Sequence, residues 1–503
     1  MVSLSKSKYC SVWTCPKMAW LNKYKPEVKE KNAGLEARAK AGTEIGRLAR
    51  GIFGEYVDVT AYVDEQLDLA KMITNTSEEM KKGTGVICEA SFSHEGLYCA
   101  IDILKRSDDG WEIYEVKSSS WHEDKKIKQV YLADIAYQKH VLTLCGVNVT
   151  SANLVLLNGD YVRGTELEID KLFHITNVDD LILEESACVK HYLEVADEVL
   201  SKDTEPDIDL DIRCKDPYEC GYWNYCTEKL PKPMVFELYD HSKSRGMKKY
   251  HEGLVCFDDF KNCLDKLTNE NAKRQLEYYF EDKGTYINKE GIRSFLNELS
   301  YPIYFLDFET EQPAIPKYAN SKPYAQIPFQ YSLHYIEEEG GELKHKEFLG
   351  VSGEDPRRAI AESLVRDIPM NVSVTAYNKT FECTRLEELA RLFPDLSEHL
   401  LNIMKNIKDL LTPFQKGLYY NREIGGSFSI KSVLPAIYPN DPSLDYHNLK
   451  DIHNGGEAMN IFPMLKDMTP EDRERYRANL LKYCELDTFA MVRVWEELIK
   501  VSK

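Results

Sequence analysis

The sequence predicts an α/β protein with two sheet-containing parts joined by a helical bridge. Three observations carry that reading. Residues 86–117 hold three short strand-like runs separated by turn signals, then a helical stretch over 129–144 and another apolar run, SANLVLL, at 151–157. Residues 301–310, YPIYFLDFET, begin a second apolar and aromatic series, which VSVTAY at 372–377 continues. Between the two, residues 231–300 are charged and helical in pattern. Short β-branched and aromatic runs bounded by turn residues read as strands, and longer periodic runs as helices. The predicted division is therefore 1–230, a helical linker at 231–300, and 301–503. That agrees with the size expected of domains in a chain of 503 residues.

The composition, 43% hydrophobic and 29% charged, is that of a soluble protein. No window approaches the ~18 apolar residues of a membrane span. The opening MVSLSKSKYC lacks the apolar core of a signal peptide. A cytoplasmic location without a membrane partner is expected. Thirteen cysteines in such a chain argue for metal ligation or burial, not a disulfide framework. The net charge of −19 runs against a general basic footprint, so any nucleic-acid contact must be local. Lys125, Lys126 and Lys128 form one basic cluster, and Lys243, Arg245, Lys248 and Lys249 another. Taken alone, each is a solvated face.

In chain order, residues 9–21, YCSVWTCPKMAWL, carry two cysteines and two tryptophans, and AGTEIGRLARGIF follows with small residues suited to close helix packing. The meander at 86–117 then presents Glu89, Asp102, Glu115 and Lys117. Glu115 and Lys117 share one strand face, because side chains alternate. A carboxylate pair with an adjacent lysine suits metal-dependent phosphodiester hydrolysis. Asp102 and Glu115, with Glu89 nearby, would hold the metal, and Lys117 would orient water or offset charge on the phosphate. The spacing D-x(12)-E-V-K resembles the PD-(D/E)XK nucleases. The RecB-like branch of that family implies a catalytic glutamine on the next helix, matched by Gln138 in DIAYQKHVL. The tyrosine usual four residues later is Leu142 here, and the G-x-x-x-H of the first helix is matched only by Gly42 and Gly46.

After an acidic linker comes CKDPYECGYWNYC, with Cys214, Cys220 and Cys226 separated by five residues each time. A Cys₄ site needs one more thiol, for which Cys15 is the first choice and Cys10 the second. One early and three late cysteines resemble the iron–sulfur RecB-like nucleases, among them CRISPR-associated exonucleases, which implies a [4Fe–4S] cluster. Structural zinc and plain buried thiols are the alternatives.

In YPIYFLDFET, Asp307 and Glu309 also share a strand face. Two carboxylates at the end of an apolar strand are costly without a cation. Hard oxygen ligands suit Mg²⁺ or Mn²⁺. Glu382 opens a helix with Leu386, Leu389 and Leu392 on its apolar face, and the helix RANLLKYCELDTFAMVRVWEEL puts Tyr483 and Asp487 four residues apart. These residues, in this order, resemble the tyrosine subclass of DEDD exonucleases. The resemblance implies an RNase H-like fold, two metals held by Asp307, Glu309, Glu382 and Asp487, and Tyr483 positioning the attacking water. The family usually has Asp where this chain has Glu382; Asp409 is the nearest substitute and reads as structural. Ser427, Ser429 and Lys431 in GGSFSIKSVLPAIYP either touch a phosphate backbone or cap a helix, and HNGGEAMN at 453–460 reads as a loop on the same side.

The whole chain resembles a bacterial family of unknown function that fuses an iron–sulfur RecB-like PD-(D/E)XK nuclease to a DEDD-type 3'-5' exonuclease. The implied activity is metal-dependent cleavage of DNA, single-stranded by preference, or RNA, in repair or phage defence. The implied cofactors are a [4Fe–4S] cluster and Mg²⁺ or Mn²⁺. Two alternatives remain open: one active site with a RecB-like scaffold, and a non-catalytic nucleic-acid-binding iron–sulfur protein.

Overall fold

The computed structural model describes residues 3–30, 33–216, 218–239 and 243–503; the side chains of residues 33–38 and 243 lie outside the description. The chain forms two units, each with a mixed sheet and packed helices: Met1–Glu228 with Pro313–Ala325, and Lys229–Gln312 with Gln326–Lys503.

The first unit begins with a two-residue strand, β1 (Leu4–Ser5), that runs directly into α1 (Lys6–Thr14), capped by the Ser5 hydroxyl; α2 (Pro16–Tyr24) follows. Strands β2 (Val57–Asp58), β3 (Val86–His94), β4 (Leu97–Arg106) and β5 (Trp111–Trp121) come next, then helix α3 (Gln129–Leu144), β6 (Val149–Asn158) and β7 (Phe173–Asn177). The sheet order is β2-β3-β4-β5-β6-β7, with β1 added in parallel to β4. The β3–β5 meander is antiparallel, whereas β5 and β6 are parallel with α3 as the crossover. Such a crossover needs a helix-length connection, which residues 129–144 supply. The β3–β4 ladder skips Glu89 without a change of register, Cys88 pairing with Ile103 and Ala90 with Ile101, and Glu89 takes a φ of 57°. Helix α4 (Leu183–Ser201) packs against α3 and buries Val189, Ala196 and Leu200.

Residues 313–325 fall within the range read from sequence as 301–503, yet they belong to the first unit. Ala314 is buried in one cluster with Val86, Tyr114, Leu157 and Phe173. The backbone of Arg163 pairs with Ser321 and Asn320, and the Tyr324 hydroxyl donates to the Ser118 carbonyl.

The second unit is built on β8 (Ile303–Glu311), β9 (Ile327–Ile336), β10 (Lys344–Leu349), β11 (Ser373–Ala376) and β12 (Ile407–Asp409), in the order β10-β9-β8-β11-β12. β8 is the central strand, antiparallel to β9 and parallel to β11. Its run of apolar side chains is buried on both faces, as expected of a central strand. Helix α5 (Thr380–Leu392) follows β11, α6 (Ile430–Ile437) is capped by Ser429, and α7 (Pro470–Ser502) ends the chain. α7 starts with a Thr469 cap, Pro470 and an acidic first turn, all favourable at a helix N-terminus. It lies on β8 and β9, where Trp495 meets Phe305 edge-on at 5.7 Å.

Residues 231–300, read from sequence as a linker, share the second unit's core. Leu276, Ile292 and Phe295 are buried with Phe305, Phe414 and Leu498. The strand pair Thr285–Ile287 and Tyr419–Asn421 ties the segment to the body of the unit. Local periodicity showed helices there; packing partners such as Phe414 and Leu498 lie more than a hundred residues away in sequence.

Candidate metal centre

Asp307 and Glu309 project from β8, and Asp487 comes from α7. Each offers an oxygen within 4.8 Å of the others, the one such set of metal-binding groups among the described residues. Glu382, Tyr483, Ser427 and Ser429 line the same cavity, of about 690 Å³. All five residues read from sequence as the C-terminal site, Asp307, Glu309, Glu382, Tyr483 and Asp487, therefore meet in one place.

Electrostatics in this cavity are lopsided. Burial holds the Asp307 carboxyl well above its usual range, and Asp487, Glu309 and Glu382 push it further. Burial also raises Glu309 to about 8, with Asp487 and Glu382 adding to the effect and Lys431 opposing it. Glu382 is likewise raised to about 8 by burial, then by Asp409. Burial raises Asp487 too, against hydrogen bonds from Tyr446 and Tyr483 and the charge of Lys431. One oxygen of Glu382, Oε2, is buried with no hydrogen-bond partner. Buried acids of this kind, with one orphaned oxygen, fit hard divalent cations as a donor set.

Two neighbours were not identified from sequence as parts of this site, and a third, Gly455, lies in the 453–460 stretch expected as a loop on this side. The Tyr446 hydroxyl donates to Asp487 at 2.6 Å. The Cys484 thiol lies 3.8 Å from Asp307 Oδ2. Gly455 sits beside Glu309, where an added Cβ would come within 3.4 Å of Oε2. Tyr446 stands 41 residues before Asp487 in an irregular stretch, and no periodicity marks it. Cys484 adjoins Tyr483 on α7 and could have been placed by its position on that helix. Lys431 Nζ lies 3.3 Å from the Tyr483 hydroxyl and over the Tyr446 and Tyr483 rings. Ser429 accepts the Lys431 N–H as a helix cap, and Ser427 accepts the Ser429 N–H. Asp409 holds the entry to α5, accepting the N–H groups of Asn378 and Lys379, and also that of Leu411. Its backbone-holding place agrees with a structural role.

The other predicted acid site is arranged differently. Asp102, Glu115, Lys117 and Gln138 do come together, joined by Lys6 and Asp134. Lys6 Nζ donates to both Glu115 oxygens at 2.8 and 3.0 Å and lies 3.6 Å from Asp102. Lys117 bridges Glu115 at 2.8 Å and Asp134 at 2.6 Å. Gln138 Nε2 donates to both of the same acids. Asp102 accepts the Val116 N–H at 2.8 Å. Burial, then Asp102 and Asp134, raises Glu115 to about 7, with Lys117 and Lys6 opposing. Asp134 is lowered despite its burial, by Lys117 and Lys6. Glu89 does not join them; it pairs with Arg50 at 2.8 Å. Lys6 stands 109 residues from Glu115, beyond any local motif.

Cys15, Cys214, Cys220 and Cys226 are neighbours. Burial raises the Cys226 thiol to about 11, and Cys220, Cys214 and Cys15 add to it. They do not converge within 4.8 Å as the carboxylates do. Cys10 lies instead beside Asp134 and Glu115. Of the basic clusters, Lys125 and Lys126 are exposed, while Lys128 is bonded to the Tyr218 hydroxyl at 2.6 Å. Arg245 and Lys248 are exposed and Lys249 half-buried; the side chain of Lys243 lies outside the described residues. No described helix is long and apolar enough to cross a membrane.

Residues 304–429 match the family model of a domain of unknown function (DUF2779). That span includes Asp307, Glu309 and Glu382 but ends before Tyr483. The chain is 28% identical over 251 residues to the uncharacterized protein MG366 of Mycoplasma genitalium, covering 46% of this chain and 37% of the relative. It is 28% identical over 230 residues to the uncharacterized protein UU173 of Ureaplasma parvum, covering 41% and 32%. The chain thus spans about a third of the length of these curated relatives.

The raised acids make a testable pH signature. Unfolded, Glu309 releases its proton near 4.5; folded, near 8. A group with a raised folded value stabilises the fold fully below the unfolded value, and that contribution is lost as pH rises through the folded one. Without divalent cations, Glu309→Gln should therefore lose less Tm than wild type between pH 4.5 and 8. Added Mn²⁺ should raise the wild-type Tm at the upper end. Identical pH slopes for the two proteins would contradict the assignment.

Proposed function

We propose that the second unit hydrolyses phosphodiester bonds at the Asp307–Glu309–Asp487 cluster, removing terminal nucleotides from DNA or RNA. The observation that carries this is the convergence of three acids, Glu309 buried and Asp307 and Asp487 half-buried, with Glu382 and Tyr483 in the same cavity. The sheet order, with one antiparallel arm and parallel strands beyond the central one, is compatible with the RNase H-like architecture that the motifs imply. Divalent cations held by Asp307, Glu309, Asp487 and Glu382 would supply Lewis acidity and a water of lowered pKa.

The chain's own groups supply the rest. Burial first, then Asp487, Glu309 and Asp307, keeps the Tyr483 hydroxyl protonated, so it can orient a water by hydrogen bonding. Tyr446 fixes one oxygen of Asp487. Lys431 offsets negative charge beside Glu309 and Asp487. Phe308, Tyr377, Phe381 and Phe428 line the cavity with aromatic surface, which stacks on bases without reading sequence. The oxygens of Ser427 and Ser429 each accept a backbone N–H, and their hydroxyl hydrogens are the groups that would meet a phosphate.

The first unit supports the reading in which its RecB-like part is a scaffold, because the acids there are already paired with lysines. They do not fit a divalent ion, and no catalytic step is assigned to them. We further propose that Cys15, Cys214, Cys220 and Cys226 hold a multi-iron cluster, with structural zinc as the alternative. Tetrahedral zinc brings its sulfurs to about 3.8 Å of one another at a Zn–S distance near 2.3 Å, tighter than these thiols are held. Protein purified without air should be brown, and Cys220→Ser should lose the colour. Stoichiometric zinc and no iron would refute the cluster.

For the hydrolytic site, single-turnover degradation of end-labelled DNA and RNA in Mg²⁺ and Mn²⁺ is the measurement. Asp307→Ala should abolish removal of terminal nucleotides. Tyr483→Phe should retain metal but slow the reaction on the order of 10²-fold, the common effect of losing one positioning group. Glu382→Asp should keep part of the activity. Full activity in Asp307→Ala would overturn the proposal.

A further inference from the structure

We infer that Lys6 is a built-in cation occupying the place of a divalent ion in the first unit. While it is seated, the Asp102–Glu115 site excludes metal. Glu115 has two oxygens and about four acceptor positions. Lys6 and Lys117 take Oε1, and Lys6 and Gln138 take Oε2. The remaining acid, Asp102, spends Oδ2 on the Val116 N–H and faces Lys6 with Oδ1. The Lys6 ammonium thus bridges the same two carboxylates that the strand pattern offers to a metal.

The charge count agrees with the geometry. Lys6 and Lys117 face Asp102, Glu115 and Asp134, leaving one net negative charge. In the second unit, Lys431 faces Glu309 and Asp487 of the three-acid cluster. A divalent ion added beside a seated Lys6 would leave a net positive charge and a buried repulsion between cations.

The fold delivers this lysine deliberately to one point. Leu4 is 2% exposed and pairs with Leu97 in the parallel β1–β4 ladder. The Leu4 N–H donates to the Gly96 carbonyl at 2.9 Å, and its own carbonyl accepts the Tyr137 hydroxyl at 2.7 Å. Tyr9, one turn along α1, stacks on Tyr137 at 4.6 Å. The backbone on both sides of Lys6 is therefore anchored to β4 and α3, the elements that carry Asp102, Asp134 and Gln138. An ordinary surface ion pair has no such anchorage and does not fill every acceptor of a buried acid.

The test is Mn²⁺ binding to the full chain, counted by electron paramagnetic resonance, in a background of Asp307→Ala with Asp487→Ala. That background removes the second unit's cluster, so the result does not depend on the hydrolytic reading. With Lys6 present, no ion should bind through Glu115, and adding Glu115→Gln should leave the count unchanged. Lys6→Met should gain one ion per chain, lost again on adding Glu115→Gln. Lys6→Arg, which keeps the charge, should gain none. A Lys6→Met protein that folds only with Mn²⁺ present would report the same gain as stability. The inference is overturned if the Lys6-containing chain binds Mn²⁺ through Glu115, or if folded Lys6→Met gains no ion. The first of these arms decides the matter even where Lys6→Met does not fold.

Discussion

Mutual repulsion among buried carboxylates is the constraint on which the second unit turns. Asp307, Glu309 and Asp487 offer oxygens within 4.8 Å of one another. At that spacing each ionised pair repels by about 3 kcal/mol for an effective dielectric of about 20. A protein selected for stability alone would place apolar side chains at the end of its central strand. Instead β8 puts acids there, and α5, α7 and residues 426–430 line the cavity that holds them. The tension is relieved either by protons, as the raised values of the isolated chain express, or by cations. Residues around the cluster fit the second role: Tyr446 fixes Asp487, Lys431 meets part of the charge, and Glu382 keeps one oxygen free of hydrogen bonds.

The first unit meets the same problem by a different route. Its acids lie at the meeting of a strand meander and a crossover helix, and lysines reach them from β5 and from the start of α1. With two fixed ammoniums among three carboxylates, the cluster becomes a structural tie between α1, α3 and the sheet. Two acid clusters of similar composition thereby acquire opposite chemical character, decided by whether the neighbouring cations belong to the chain.

What was legible in the sequence follows the range of each interaction. Alternation along a strand placed Asp307 with Glu309, and helical spacing placed Tyr483 with Asp487; both rules act within a few residues. The meander and the crossover helix of the first unit were readable for the same reason. Lys6, Asp134 and Tyr446 were not, because they join their clusters only through tertiary folding. Asp134 precedes Gln138 by one helical turn, so the helix phase pointed to it, but an acid on a buried face carries no signal of its partner lysine. Residues 313–325 carry no pattern that assigns them to the first unit; the buried Ala314 and the Arg163–Ser321 pairing do so. The segment 231–300 was legible as helices but not as core, since amphipathic helices look alike whichever sheet they cover.

The central claim is that the carboxylates of β8 and α7 are a metal site. Anomalous scattering from crystals grown with Mn²⁺ near neutral pH tests it most directly. The account predicts an anomalous peak bounded by Asp307, Glu309 and Asp487, and none between Asp102 and Glu115. Ordered carboxylates with no peak in the second unit, at Mn²⁺ concentrations that saturate ordinary acidic sites, would contradict it.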